Sequence, residues 1–337
     1  MLAFESLKTP LRVLGQEAPQ VLVYIDKGLG ASILRAGVRL WDDANPSPVA
    51  AIKVTRHNLG HPTALFHETG HQFGHQTGWT AELADRLEST LHPRSAELAA
   101  VWRGWASEIA ADVFAFATTG WAPLPALANV IDGTTPQVDR FNPFDPHPIA
   151  WLRVILNGAL CRSWYGVGPW DTIVRAWWER HPPESAPAAV RLLIRQSVDV
   201  LGDLVDVLTR SSMTSLGGGR PLYGVVDPAR VSPGALRGLA RQAGATMLTS
   251  SYQRMAEQLR LVAVLATEHH FDMSSFQCRS DRLSECLRTL DPQTSEGGLE
   301  LEGPGGWPRP GRGGHTGLTW SNRACRIRCT LFTAAAC

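Results

Sequence analysis

His67 and His71, four residues apart in the stretch His67-Glu68-Thr69-Gly70-His71, constrain this chain more than any other feature of it. On an α-helix of 3.6 residues per turn and about 1.5 Å rise per residue, such a pair stands nearly one above the other, offset by about 40° and 6 Å. Both imidazoles can then reach one metal ion, with Glu68 on the flank beside it. The flanking sequence agrees with a helix. Gly60-His61-Pro62-Thr63 makes a good start, because proline is tolerated in a first turn, and Thr77-Gly78 makes a stop after about Gln76.

Two histidines with a glutamate between them form the H-E-x-x-H arrangement of zinc hydrolases, which supplies two ligands and a general base. A tetrahedral catalytic site needs a third protein ligand and leaves its fourth position to water. The best candidate is Glu108, within Trp105-Ala106-Ser107-Glu108-Ile109-Ala110-Ala111-Asp112, in a strongly helical segment over residues 95–118. Glu108 and Asp112 share a face of an otherwise apolar turn, so the pair needs compensation that a metal supplies. Glu108 is read as the third ligand. Asp112, one turn on, is read as the partner of the far nitrogen of a zinc histidine, fixing its tautomer.

The Glu-x-x-x-Asp element after H-E-x-x-H resembles the second motif of the gluzincin peptidases. His147-Pro148-Ile149-Ala150-Trp151-Leu152-Arg153 is similar to the His-Pro-x-x-x-x-Arg element of the CAAX prenyl protease and heat-shock membrane peptidase group of gluzincins. The resemblance covers residues 60–155 and rests on three short motifs in the same order. It implies that His147 lies beside the catalytic zinc, where it would stabilise the oxyanion, and that Arg153 braces the site. It also implies that a strand ahead of the active-site helix offers its edge to an extended substrate, and residues 50–55 are placed to do this. The chain departs from that group in having no apolar run approaching the roughly 18 residues needed to span a bilayer.

With 337 residues there is ample chain for one large or two ordinary domains. A net charge of +1 gives no electrostatic reason to expect nucleic acid. The start of the chain lacks a secretory pattern, and only Cys161 of the six cysteines precedes residue 270, so a cytoplasmic protein is expected. Residues 21–25 and 50–55 read as strands, and residues 83–91, 151–164 and 170–180 as helices. The Pro-rich stretch 121–148 reads as a helix-free loop that delivers His147 from a rigid turn. Residues 188–208 and 233–269 read as amphipathic helices around Gly217-Gly218-Gly219.

The expected architecture is α+β and mainly helical, a zincin-like metallopeptidase core with a small sheet beside the active-site helix. Residues 1–180 would form that domain, 188–270 an accessory helical region, and 273–337 a disordered low-complexity tail. A second reading of the tail is a segment out of the natural frame. His75 lies a further turn along but has rotated about 80° from His67, so it is assigned a structural role, and His61 an ordinary helix-start role. Trp102, Trp105 and Trp151 are expected in the core. Cys325 and Cys329 lack the second pair that a zinc knuckle needs. The expected activity is zinc-dependent hydrolysis of a peptide or protein substrate, with Glu68 as general base. A zinc hydrolase of a non-peptide substrate, and a non-catalytic interaction protein with a structural zinc site, remain as alternatives.

Overall fold

The structure, a computed structural model, describes residues 1–28, 30–38, 46–268 and 284–287. Helix α1 (Leu2–Val13) leads into a three-stranded sheet of β1 (Gln20–Ile25), β2 (Ser32–Leu34) and β3 (Val49–Val54). The short α2 (Arg56–Gly60) then precedes α3 (Thr63–Thr77), α4 (Trp79–Leu91), α5 (Ala96–Gly104) and α6 (Ala106–Thr119). Next come α7 (Pro123–Val130), α8 (Thr135–Val138), α9 (Ala150–Tyr165) and α10 (Pro169–Arg180). The last labelled helices are α11 (Ala188–Asp199), α12 (Leu201–Thr209), α13 (Pro233–Ala243), α14 (Ser251–Ala256) and α15 (Gln258–Glu268). The protein is mainly helical with a small sheet.

The sheet order is β1-β3-β2, with β1 parallel and β2 antiparallel to β3. Residues 50–55 were expected to offer a free edge, but β3 is the central strand. Its backbone is engaged on both sides by Gln20–Ile25 and Ser32–Leu34; the outer strands are β1 and β2, and of these β2 borders the cavity described below. Alternate residues Ala50, Ile52 and Val54 turn inward and are buried, as a half-covered strand requires.

Helix α6 is buried on nearly every side, with all but Ser107 of its residues inside, so it is the axis of the fold rather than an amphipathic surface helix. Helix α3 packs along it, with Phe73 stacked on Phe114 at 4.8 Å. Trp79, Trp102, Trp105 and Trp151 are buried in the main core, each fully buried aromatic worth on the order of 2–3 kcal/mol. Helix α3 stops at Gly78, whose φ of 77° is a left-handed conformation that glycine adopts without a Cβ clash.

Four expectations on helix continuity differ from the structure. Residues 95–118 are two helices, broken at Gly104 and Trp105; glycine costs about 1 kcal/mol in a helix interior, and the break seats Trp105 in the core. Residues 188–208 break at Val200, and residues 233–269 break after Ala243 at Gly244 and again at Glu257. The stretch 121–148 is not helix-free: α7 begins at Pro123, and Pro123 and Pro125 occupy its first turn, where no N–H partner is lost.

Met1–Glu296 form one compact unit. Leu204, Val205 and Leu208 of α12 enter the same core as Trp102 and Trp151, so the region after residue 188 shares its core with residues 1–180. A second cluster joins Phe66 and Ala115 to Leu236, Leu239 and the Leu261–Leu265 run of α15. Within the expected tail, residues 284–287 form a helical turn with Cys286 buried in this second cluster. The other residues of 273–337, Cys325 and Cys329 among them, lie outside the described residues. No helix among the described residues is long and apolar enough to cross a membrane.

Candidate metal centre

Helices α3 and α6 approach closely because Gly70 has no side chain. A Cβ at Gly70 would lie 2.8 Å from the Ala111 Cα and 2.9 Å from its carbonyl oxygen. This approach, one residue before His71, lets a short side chain on α6 reach the imidazoles on α3. His67 Nε2 lies 3.3 Å from Glu108 Oε2, and His71 Nε2 lies 3.2 Å from Glu108 Oε1. One ligand atom from each of the three residues falls within 4.8 Å of the others, an arrangement that could hold a metal ion.

The remaining ring nitrogens are also engaged. Asp112 Oδ1 accepts from His67 Nδ1 at 2.8 Å. Ser107 Oγ lies 3.2 Å from His71 Nδ1 and can accept its proton. Both rings are thereby fixed with Nε2 toward Glu108, the tautomer a metal ligand requires. Arg153 grips Asp112 with two hydrogen bonds, Nε to Oδ2 at 2.9 Å and Nη2 to Oδ1 at 2.7 Å. Its Nη2 also lies 3.6 Å from Glu108 Oε2. Asp112, Arg153 and Glu108 are all buried, and buried charges persist only when paired in this way.

The charge states follow from these contacts. Burial would raise the Glu108 carboxyl, but hydrogen bonds from His67 and His71 hold it well below the usual carboxylate range. The same opposition, with the Arg153 charge the leading counterweight, holds Asp112 at about 2. Glu68 differs. It is only 6% exposed, and burial lifts its carboxyl above the ordinary value, since the nearby His67 and His71 charges compensate only in part. A carboxylate lifted this way binds a proton more readily than its neighbours do, the property wanted in a general base.

A cavity of about 500 Å³ opens over the cluster. Its floor is α3 and α6. One wall is the β2 side of the sheet, from Gly30 to Arg35, and the other is α7, with Pro146 and His147 at its rim. His147 Nε2 faces the cluster, 3.8 Å from Glu108 Oε2, while Nδ1 is 2.7 Å from Asp145 Oδ1.

All seven residues singled out from the sequence, His67, Glu68, His71, Glu108, Asp112, His147 and Arg153, line this one cavity. Sequence reasoning missed Ser107, Asp145, Gly70 and the α7 wall. Ser107 stands beside Glu108 on a helix and carried no signal of its own. Asp145 did carry one, as an acid two residues before a candidate histidine in a turn. His75 is exposed and is not part of the three-residue cluster. His61 lines the cavity mouth.

No protein-family model, no curated protein and no solved structure matches this chain. The class of site is therefore defined by its own geometry: two histidines and a glutamate around one point, with an independent buried carboxylate beside them.

Proposed function

We propose that this protein is a zinc-dependent metallopeptidase with a zincin-like core of gluzincin type, with zinc held by His67, His71 and Glu108. The observation that carries the proposal is the spacing of the cluster. Ligand atoms bound to zinc at about 2.0–2.1 Å in a tetrahedron lie about 3.4 Å apart; each histidine Nε2 lies 3.2–3.3 Å from one of the two Glu108 oxygens, and one ligand atom from each of the three residues lies within 4.8 Å of the others. When bound, zinc supplies Lewis acidity to the carbonyl and brings the pKa of water near 7.

The chain's own residues do the rest. Glu68 takes a proton from the attacking water and returns it to the leaving amine, which its burial-raised affinity for protons suits. His147, held by Asp145 at the rim, donates from Nε2 to the oxygen that gains charge. Asp112 keeps His67 oriented, and Arg153 keeps Asp112 charged and in place. The separate position of Glu68 favours catalysis over a purely structural zinc site, which has no use for a base. The test is metal analysis of purified protein together with a peptide-library digest. We expect about one zinc per chain and cleavage abolished by a chelator; metal-free protein that cleaves peptides would refute the proposal.

A further inference from the structure

The cleft holds a positive charge that no other group among the described residues uses. Arg35 follows β2 and lines the cavity, half-buried. Its segment is pinned to α3, because the backbone N–H of Ala36 donates to Gln72 Oε1 at 2.9 Å and both residues are buried. The other charged donors in the cavity are occupied. Arg153 is gripped by Asp112, and His147 by Asp145. Among the described residues, no carboxylate lies within ion-pair distance of Arg35. Across the cavity, Ala126, Leu127, Val130 and Ile131 present an apolar wall that offers a charged ligand nothing.

The position of Arg35 relative to the metal cluster follows from its neighbour. A Cβ at Gly37, two residues after Arg35, would lie 3.8 Å from His75 Nε2, so the segment that carries Arg35 passes beside His75. His75 is one helical turn, about 6 Å, beyond His71. An extended peptide advances about 3.3 Å per residue. A group that meets Arg35 while a carbonyl lies at the cluster is therefore one or two residues away from that carbonyl. A guanidinium in a partly desolvated cleft is suited to a planar oxyanion, which it binds through two parallel hydrogen bonds.

We propose that the cleft selects peptides bearing a carboxylate one or two residues from the bond that is cut, bound by Arg35. This rests on the metallopeptidase reading and specifies its substrate class. The carboxylate can be an Asp or Glu side chain or the peptide's own C-terminus.

The test measures binding apart from hydrolysis. Full-chain, zinc-loaded protein carrying Glu68→Gln is titrated with two pairs of blocked peptides. One pair carries Glu or Gln next to the central bond; the other ends in a free or an amidated C-terminus. We expect one carboxylate peptide to bind about tenfold more tightly than its neutral twin. Adding Arg35→Gln should bring that ratio to about one, while Arg35→Lys, which keeps the charge, should retain part of it. The pair that responds identifies the source of the carboxylate, and binding of the neutral twins shows that each variant is folded. Equal binding within both pairs, or a preference that survives Arg35→Gln, overturns the proposal. If the wild-type protein cuts no peptide yet the preference holds, the peptidase reading falls and the carboxylate site stands. If no peptide binds, both fall.

Discussion

His67 and His147 both turn Nε2 toward Glu108, yet the protein holds them in different ways. His67 springs from the middle of a packed helix, and its Nδ1 is fixed by Asp112, which is fixed in turn by two bonds from buried Arg153. His147 sits on an irregular segment with its side chain 60% exposed and a single carboxylate, Asp145, behind it. The floor of the cleft is thus over-determined, while the rim is held by few contacts. Groups that bind metal must be in place before a substrate arrives; groups that contact the substrate can settle when it does. The same contrast separates buried Glu68 from half-buried Arg35.

The largest expected effect breaks the floor. Arg153→Met leaves Asp112 and Glu108 as buried charges with a partner removed, and should lower unfolding stability by about 3–5 kcal/mol in urea titrations. His147→Ala should leave stability within about 0.5 kcal/mol of wild type, keep the metal, and lower kcat/KM by about 100-fold, or about 2.7 kcal/mol of barrier. A large stability loss for His147→Ala would mean that the rim is as rigid as the floor.

Gly70→Ala probes the helix approach itself. The added methyl meets the Ala111 backbone at 2.8 Å, and since that backbone cannot rotate aside, overpacking should cost about 1–3 kcal/mol. Metal affinity should fall with it, because α3 and α6 must separate. Unchanged affinity would show that Glu108 reaches the histidines without the close contact.

A further effect is in pH. In protein stripped of metal, burial would lower the His67 imidazole, but hydrogen bonds to Asp112 and Glu108 outweigh it and push the value up to about 10. A histidine raised on folding contributes stability that is complete below its unfolded value of about 6.5 and is lost as pH rises through the folded one. Stripped protein should therefore weaken between about pH 7 and 10, and zinc, which takes His67 neutral, should flatten that slope. Parallel melting curves with and without zinc across this range would contradict the reading.

What could be read from the sequence follows the same division. The residues on α3 and α6 were legible because helical spacing converts a short motif directly into geometry: His67 and His71 share a face, as do Glu108 and Asp112. Val49–Val54 was legible as a strand, but its central place was not, because strand order depends on pairing between distant segments. The α7 wall was hidden by its prolines, which break a helix interior but suit a first turn. Arg35 carried no signal at all; it gains its meaning only from the cavity it borders.

The central claim is that Glu68 acts as a base beside a metal that it does not hold. Glu68→Gln tests this most directly, since glutamine is nearly isosteric and hydrogen-bonds water but cannot accept a proton at neutral pH. Zinc content and melting temperature should stay close to wild type, while peptide hydrolysis falls by about 100-fold or more. Peptide cleavage that continues unchanged in Glu68→Gln would contradict the mechanism.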